Sequence, residues 1–432
     1  MSKNKQKILL IVAGVLLLAT AVVLIYEFAI APQSGKRVLP ELAGYAQPSD
    51  IYDPDLLAPS IVKAMEKRLF LAPAMDDQVH GPWLVSAYET SLKRGEEGIR
   101  TSLIRASDQI MYGRALARLG KRSDFLKWAH RFDLAFRSGD TTFHATCLRC
   151  GDLPDDVYQQ VGAHWSVTLA YSRALLEGYR TFGGKTLTGL IESQSTRLLP
   201  LFQGNRTHGD LLAGPKMLSG YDEWDDPPPG SIPEPGDDPP VETATGTYLA
   251  DIDLWALYAL SRFDPGWAPV ALSWHHAVAE SRLESELPLY ASAIEKDKDT
   301  YLAVTGGGSF SQTREQLGIA LHLAEVGTVD RDFISFIRSQ LRDNKRLPSG
   351  WNPVTSGAQG SLAVPADYGL ALSLGRASGD PVLLSSAREV MMYSYASSAT
   401  SDIYGGWFRP GESAGTFKLV AEDNVAVLLA LR

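Results

Sequence analysis

The chain has 432 residues, of which 41 are basic and 50 acidic, so its formal net charge is −9. Hydrophobic residues make up 45% of the composition and charged residues 21%, which supports a large packed core and excludes a wholly disordered protein. The acidic balance excludes nucleic acid as an expected partner, because nucleic-acid-binding proteins present a basic surface. At about 150 residues per domain, this length permits one large domain or two to three smaller ones.

The first predicted element is an apolar run over residues 8–26 that contains no charged side chain. As a helix it would span about 28 Å, close to the ~30 Å hydrocarbon core of a bilayer. Lys3, Lys5 and Lys7 precede it and should stay in the cytoplasm by the positive-inside rule. We therefore expect a single-pass cell-membrane protein with its domain on the periplasmic or extracellular side. The tripeptide at 29–31 resembles a signal-peptidase site, which leaves a cleaved signal peptide as the alternative route of export.

The organisation after this run indicates one large domain. Residues 1–31 are the predicted membrane anchor and residues 32–54 a proline-rich stalk. From residue 55 to residue 432, apolar stretches of helical period alternate with short Gly, Asp and Pro punctuation, and strand-like alternation is scarce. Consecutive helices joined by short loops pack antiparallel, so the predicted fold is all-α, an (α/α)6 toroid preceded by a single N-terminal transmembrane helix. Helices are predicted over 55–71, 82–94, 106–119, 123–137, 158–182, 186–200, 247–262, 266–285, 310–326, 330–343, 361–376, 381–398 and 418–431.

Two features within the domain invite a metal-binding interpretation. The insertion at 221–242 is rich in proline and acidic residues, which indicates a stiff exposed loop and leaves calcium binding as its alternative. Cys147 and Cys150 are expected to form a short-loop disulfide or to be inert thiols in an exported protein. Together with His144 they have a spacing that suits zinc, but no fourth ligand lies nearby. We predict no metal and no cofactor.

Residues 98–128 resemble the opening catalytic segment of glycoside hydrolase family 8, which comprises bacterial α/α-toroid endoglucanases, chitosanases and xylanases. The family has a Ser-Glu-Gly-x-x-Tyr-Gly-Met motif there, and this chain has Ser107-Asp108-Gln109-Ile110-Met111-Tyr112-Gly113 in the same register. Because the family's Glu is its catalytic acid, the resemblance implies Asp108 as the acid. An Asp near a helix start also interacts favourably with the helix dipole, which is the structural alternative for this residue.

Two later segments resemble the family in the same order, residues 247–267 and residues 308–326. The second retains Arg314 of the family's Tyr-Asp-Ala-x-Arg motif but has Ser311 where the family has its catalytic base. A base must therefore come from elsewhere, and we select Asp251, with Asp253, Glu315, Asp367 and the acidic residues of the insertion left as alternatives. The predicted substrate-binding residues are Tyr112, Trp165, Tyr248 and Arg314. The three aromatic side chains can stack on sugar rings, and Arg314 is the residue retained from the family's motif.

These features imply an exported, membrane-anchored, glycoside-hydrolase-like protein that acts on an exopolysaccharide or cell-wall glycan. An inverting glycosidase uses two carboxyl groups roughly 6.5–9.5 Å apart, one to protonate the leaving oxygen and one to activate water. The alternative is a catalytically inactive glycan-binding or scaffold component of a polysaccharide synthesis or export complex, which Ser311 favours. A third hypothesis is a lyase, or a glycosidase that uses other residues of the same ring.

Overall fold

A computed structural model describes residues 36–45, 54–71, 82–91, 98–137, 143–149, 159–211, 216–217, 241–242, 246–304, 310–411 and 414–432. The predicted anchor, most of the predicted stalk, Cys150 and nearly all of the acidic insertion lie outside these ranges. No helix in the described ranges is both long enough and apolar enough to cross a membrane.

The helices of the described residues form two concentric rings. Each inner helix contacts the next one along the chain, and the last contacts the first, so the inner ring is closed. The predicted helical toroid is therefore present. The inner helices are α2 (Ala106–Arg118), α4 (Trp165–Phe182), α6 (Leu254–Leu260), α8 (Thr313–Glu325), α10 (Pro365–Ser378) and α12 (Ala421–Leu431), and the outer helices are α1 (Pro54–Arg68), α3 (Arg122–Phe136), α5 (Lys185–Gly204), α7 (Trp267–Ala279), α9 (Arg331–Asn344) and α11 (Pro381–Met391).

The pattern of buried residues in a helix reflects whether the helix lies in the outer or the inner ring. In the outer helix α9 the buried residues are Phe333, Ile334, Ile337 and Leu341, which form one apolar stripe. In the inner helix α12 every residue except Glu422 is buried, because this helix is covered on all sides. The outer helix α9 thus needs only one apolar face, whereas the inner helix α12 is nearly continuously apolar after its first turn.

Short antiparallel sheets lie at the amino-terminal ends of the inner helices, because a strand precedes each of these helices in the chain. The sheets have the strand orders β14-β15-β1-β2, β10-β9-β8, β11-β12-β13, β3-β4-β5 and β6-β7. The strands are β1 (Ala87–Ser91), β2 (Ile99–Arg100), β3 (Leu103–Arg105), β4 (His144–Arg149), β5 (Gln159–His164), β6 (Lys216–Met217), β7 (Val241–Glu242), β8 (Gly246–Tyr248), β9 (Ala293–Glu295), β10 (Tyr301–Leu302), β11 (Ser311–Gln312), β12 (Pro348–Trp351), β13 (Ala358–Leu362), β14 (Phe408–Pro410) and β15 (Thr416–Val420).

The predicted helix 82–94 is wrong, and several other predicted helices begin within a strand; the longest such segment is residues 159–164 of the predicted helix 158–182, which form β5. Residues 87–91 of the predicted helix 82–94 form strand β1, which pairs antiparallel with β15 from Ala87 opposite Val420 to Ser91 opposite Thr416. A short apolar run fits a buried strand as well as a buried helix, and here the partner strand lies more than 300 residues away in the chain.

The packing around two helical glycines predicts how the free energy of unfolding changes when each is replaced by alanine. A Cβ at Gly178 of α4 would lie 2.2 Å from the ring of Phe125 on α3, whereas a Cβ at Gly189 of α5 would meet no atom within 4 Å. We expect Gly178→Ala to lower the free energy of unfolding by about 1–3 kcal/mol through overpacking. Gly189→Ala should raise it by about 0.5–1 kcal/mol, because alanine is the better helix former. Chemical denaturation of both variants checks this, and equal effects would contradict the described packing.

Candidate functional site

A cavity of about 420 Å³ lies inside the inner ring and reaches the amino-terminal ends of its helices. All six inner helices, or the turns that lead into them, contribute to its wall. Helix α8 lines the cavity with one of its faces, because its cavity residues recur at the three- and four-residue spacing of a single helical face. They are Arg314, Glu315, Gly318, Leu321, His322 and Glu325.

Arg173 on α4 lies at the centre of the charged groups in this cavity. Its guanidinium donates from Nη1 to Asp253 Oδ1 at 2.8 Å, from Nη2 to Glu325 Oε1 at 2.7 Å and from Nε to Glu177 Oε1 at 2.8 Å. It also lies 4.7 Å from the centre of the Trp255 ring. Because Asp253 caps α6 and Glu325 ends α8, this one side chain joins three consecutive inner helices.

Glu177 connects the same group to α2. Its carboxylate accepts from Arg114 Nε at 2.9 Å and from Arg118 Nε at 3.0 Å, and it has no exposed surface. Burial alone would raise the pKa of Glu177, but the guanidinium groups of Arg114, Arg118 and Arg173 lower it well below its ordinary value. We call this set the Arg173 cluster; its three arginines balance its three carboxylates, and its members are Arg114, Arg118, Arg173, Glu177, Asp253 and Glu325.

His322 lies beside this cluster on the cavity wall. Its Nε2 donates to the Ala250 carbonyl oxygen at 3.2 Å, and its Nδ1 lies 3.9 Å from Glu325 Oε2. Burial alone would lower the pKa of His322, but the nearby carboxylates of Glu325 and Asp253 raise it above its ordinary value. For Glu325, burial acts to raise the pKa, and Arg173 with His322 overcomes this and lowers it to about 2. This part of the cavity therefore favours a positive charge on the imidazole.

Two groups have the composition of a metal site, and the described residues of each already contact other side chains. Asp253, His322 and Glu325 offer ligand atoms within 4.8 Å of one another, but Arg173 already donates to both carboxylates. At the second group, His144 Nε2 lies 3.2 Å from Asp133 Oδ1 and its Nδ1 lies 3.0 Å from Thr168 Oγ1. Both ring nitrogens of His144 thus contact other side chains, and Cys150 of the zinc alternative lies outside the described residues.

Arg314 forms a second charged group on the cavity wall. Its Nε donates to Asp367 Oδ1 at 2.8 Å and its Nη1 donates to Glu422. Arg409 Nη2 lies 3.5 Å from Glu422 Oε2. Burial acts to raise the pKa of Glu422, but Arg314 and the other nearby arginines lower it to about 2. Arg314 therefore holds α8 to α10 and α12, in addition to lining the cavity.

Of the six predicted site residues, Asp251 and Arg314 line the cavity. The three aromatic residues do not, because they pack between structural layers. Tyr112 packs edge-on against Phe70 with ring centres 5.2 Å apart, and burial raises its pKa to about 12. Trp165 packs against other core rings, and Tyr248 is only 2% exposed.

Asp108 also lies off the cavity wall. The preceding residue, Ser107, is exposed and lines the cavity, and one helical step of about 100° separates the two side chains. Asp108 itself has no exposed surface. In this arrangement it has no direct path to a ligand in the cavity, so the catalytic role that the resemblance implies requires a movement at the start of α2.

Sequence reasoning missed the Arg173 cluster. A signal was present in α4, where Arg173 and Glu177 stand four residues apart within an otherwise apolar stretch. Charged residues in such a stretch are buried only when they are paired. His322 and Glu325 gave a weaker signal, since they occupy the last turn of a helix whose apolar face is continuous.

The raised pKa of His322 predicts a pH-dependent contribution to stability. A group whose folded pKa exceeds its unfolded value of about 6.5 contributes fully below that pH, and the contribution is lost as the pH rises through the folded pKa. Replacing His322 with Gln should therefore lower the free energy of unfolding most at pH 5–6 and progressively less above pH 7. Denaturation of both proteins from pH 5 to pH 9 checks this, with His276→Gln as the exposed control. A difference that grows with pH would contradict it.

No model of a known protein family matches the chain, and no curated protein sequence is similar to it. Several solved structures are similar. An α-amylase from Clostridium perfringens is 15% identical, with 87% of this chain and 96% of that chain covered and a TM-score of 0.64. PssZ from Listeria monocytogenes is 11% identical, with 89% and 97% covered and a TM-score of 0.54. A cold-adapted family 8 xylanase is 10% identical, with 88% and 91% covered and a TM-score of 0.56. The predicted resemblance is thereby confirmed at the level of the fold, which is that of the family 8 glycoside hydrolases.

Proposed function

We propose that this chain binds a polysaccharide in the cavity of its inner ring and cleaves it by inverting hydrolysis. The supporting observation is a charged cavity at the amino-terminal ends of the inner helices of a ring that shares the fold of family 8 glycoside hydrolases. One of the similar structures is a xylanase, an enzyme that acts on a polysaccharide. The low sequence identity gives the fold alone, so the chemistry is argued from the residues of this cavity.

Asp251 and Glu315 are our candidates for the two catalytic carboxyl groups. Both are half-buried on the cavity wall, Asp251 in the turn before α6 and Glu315 in the first turn of α8. Inverting hydrolysis needs two carboxyl groups on opposite sides of the scissile bond, and neighbouring inner helices can place them so. Asp253, Glu325 and Glu422 also line the cavity, and their ion pairs with Arg173 and Arg314 give these three carboxylates a structural role in holding the inner helices together.

A second candidate function is glycan binding without cleavage, as a component of a polysaccharide synthesis or export complex. It is favoured by the chemistry at the position of the family's base. Ser311 occupies that position with no exposed surface, and its hydroxyl donates to the Ala303 carbonyl oxygen at 3.0 Å. A buried hydroxyl held in this way does not activate water.

Export and membrane attachment remain part of the proposal and rest on residues 8–26 and the lysines before them. If residues 8–26 span a bilayer, the chain partitions with the membrane fraction and needs detergent for its release. The functional experiment therefore begins with the full chain, solubilised in detergent. Recovery of the intact chain from the soluble fraction without detergent would contradict the anchor.

The solubilised chain is incubated with a panel of α- and β-linked polysaccharides, and new reducing ends are measured. We expect cleavage of at least one polymer. Asp251→Asn and Glu315→Gln should each reduce it by about 10²–10⁴-fold, because general acid and base catalysis supply factors of that size. Asp108→Asn serves as the comparison variant, since its side chain lies off the cavity wall.

The variants that lose cleavage activity distinguish between the two proposed functions and between the candidate catalytic residues. Loss of activity in Asp108→Asn with full activity in Asp251→Asn would overturn our assignment and restore the acid that the resemblance implies. Binding without cleavage across the panel would overturn hydrolysis and favour the second candidate. Neither binding nor cleavage of any polymer would contradict both.

A further inference from the structure

Residues 36–45, which we call the strap, cross the carboxyl-terminal end of the inner ring. The Ala43 amide donates to the Glu325 carbonyl oxygen at 3.1 Å, at the last residue of α8. The Pro40 carbonyl oxygen accepts from Arg180 Nη1 at 3.1 Å and from Trp255 Nε1 at 3.3 Å. The strap is thus bound to the last turns of α4 and α8, at the end of these helices opposite the short sheets, and to Trp255 near the start of α6.

The strap ends in a closely fitted turn. Tyr45 lies between two guanidinium groups, 5.1 Å from that of Arg118 and 4.8 Å from that of Arg180, which is the geometry of cation–π contacts. Gly44 has a φ of +78°, and a Cβ there would lie 2.8 Å from the backbone nitrogen of Ala377. A side chain at this position therefore cannot be accommodated without moving the strap away from α10.

Beneath the main cavity, a second cavity of about 70 Å³ separates it from the strap. Ala43 and Gly44 line the small cavity on one side. On the other side its wall is shared with the main cavity. The shared residues are Met111, Arg114, Leu321, Glu325 and Leu370. The small cavity therefore lies between the main cavity and the strap.

We propose that the strap is a removable plug that closes the ring at the end opposite the main cavity and couples the predicted N-terminal anchor to the Arg173 cluster. The coupling passes through Glu325. Its backbone carbonyl holds Ala43 of the strap, and its carboxylate accepts from Arg173. When the strap is displaced, water enters the small cavity and the last turn of α8 loses the hydrogen bond that caps its carbonyl. The strap follows the predicted anchor within a few residues. A force on the anchor, or cleavage of the chain between the anchor and the strap, would therefore act directly on the strap.

Gly44→Val displaces the strap in a defined way, because the branched side chain collides with the backbone at Ala377. The matched control is Gly415→Val: Gly415 also has a positive φ, +85°, but a Cβ there would meet no atom within 4 Å. The reporter is Ser373→Cys, at a position that lines the small cavity and not the main one. The full chain without this reporter measures the background from Cys147 and Cys150.

We expect a maleimide to label the Ser373→Cys thiol at least ten-fold faster in Gly44→Val than in the parent, and at the parent rate in Gly415→Val. Hydrogen exchange should accelerate at residues 36–45 and at 321–325 in the same variant, since both lose protection when the strap leaves. If Gly44→Val does not fold, Tyr45→Ala replaces it, with an expected acceleration of about three-fold from the loss of the two cation–π contacts.

Faster exchange in the strap with unchanged labelling of the Ser373→Cys thiol would overturn the plug. Faster labelling with unchanged exchange at 321–325 would overturn the coupling to α8. No polysaccharide is needed in either measurement, so these failures are distinct from failure of the proposed function.

Discussion

One buried cation organises the centre of this ring. Arg173 is 1% exposed, and its guanidinium contacts carboxylates from its own helix, from the cap of α6 and from the end of α8. A buried charge is tolerated only when its partners compensate the loss of hydration, and each of these carboxylates in turn depends on Arg173. Because Glu177 also binds two arginines of α2, the relative positions of four inner helices rest on this cluster. Arg114, Arg173, Asp253 and Glu325 of this cluster line the main cavity, and Arg118 lines the small cavity beside the strap.

The two ends of the ring have different chemistry for a geometric reason. A strand precedes each inner helix, so the short sheets, the exposed Ser107 and the cavity residues Asp251 and Glu315 all lie at the amino-terminal end. At the carboxyl-terminal end, helix carbonyl oxygens need donors, and arginine side chains supply them, as Arg376 does for the Ala430 carbonyl oxygen at 2.7 Å. The strap also accepts from an arginine at this end, since Arg180 donates to the Pro40 carbonyl oxygen at 3.1 Å. One end is therefore open to a ligand, and the other is closed by the chain itself.

The helical toroid was predictable because its apolar period repeats along most of the domain, and the outer helix α9 shows that period clearly. The orientation of single side chains was less predictable. Asp251 and Arg314 line the cavity, whereas Trp165 packs against neighbouring rings. An aromatic side chain at a helix start can stack on a sugar ring in the cavity or pack in the core. Which of the two occurs depends on the side chains that the neighbouring elements place around it. Strand β1 was missed because its partner β15 lies at the far end of the chain.

The most direct test of this account is the stability of Arg173→Met, which keeps the length of the side chain and removes its charge. Removing one partner of a buried ionic group typically costs about 3–5 kcal/mol, because the remaining charges stay buried without compensation. We expect a loss of that size in the free energy of unfolding by chemical denaturation. Arg342→Met, which removes an exposed guanidinium paired with Asp343, should cause no measurable loss. Equal stability of Arg173→Met and Arg342→Met would contradict the central role of Arg173.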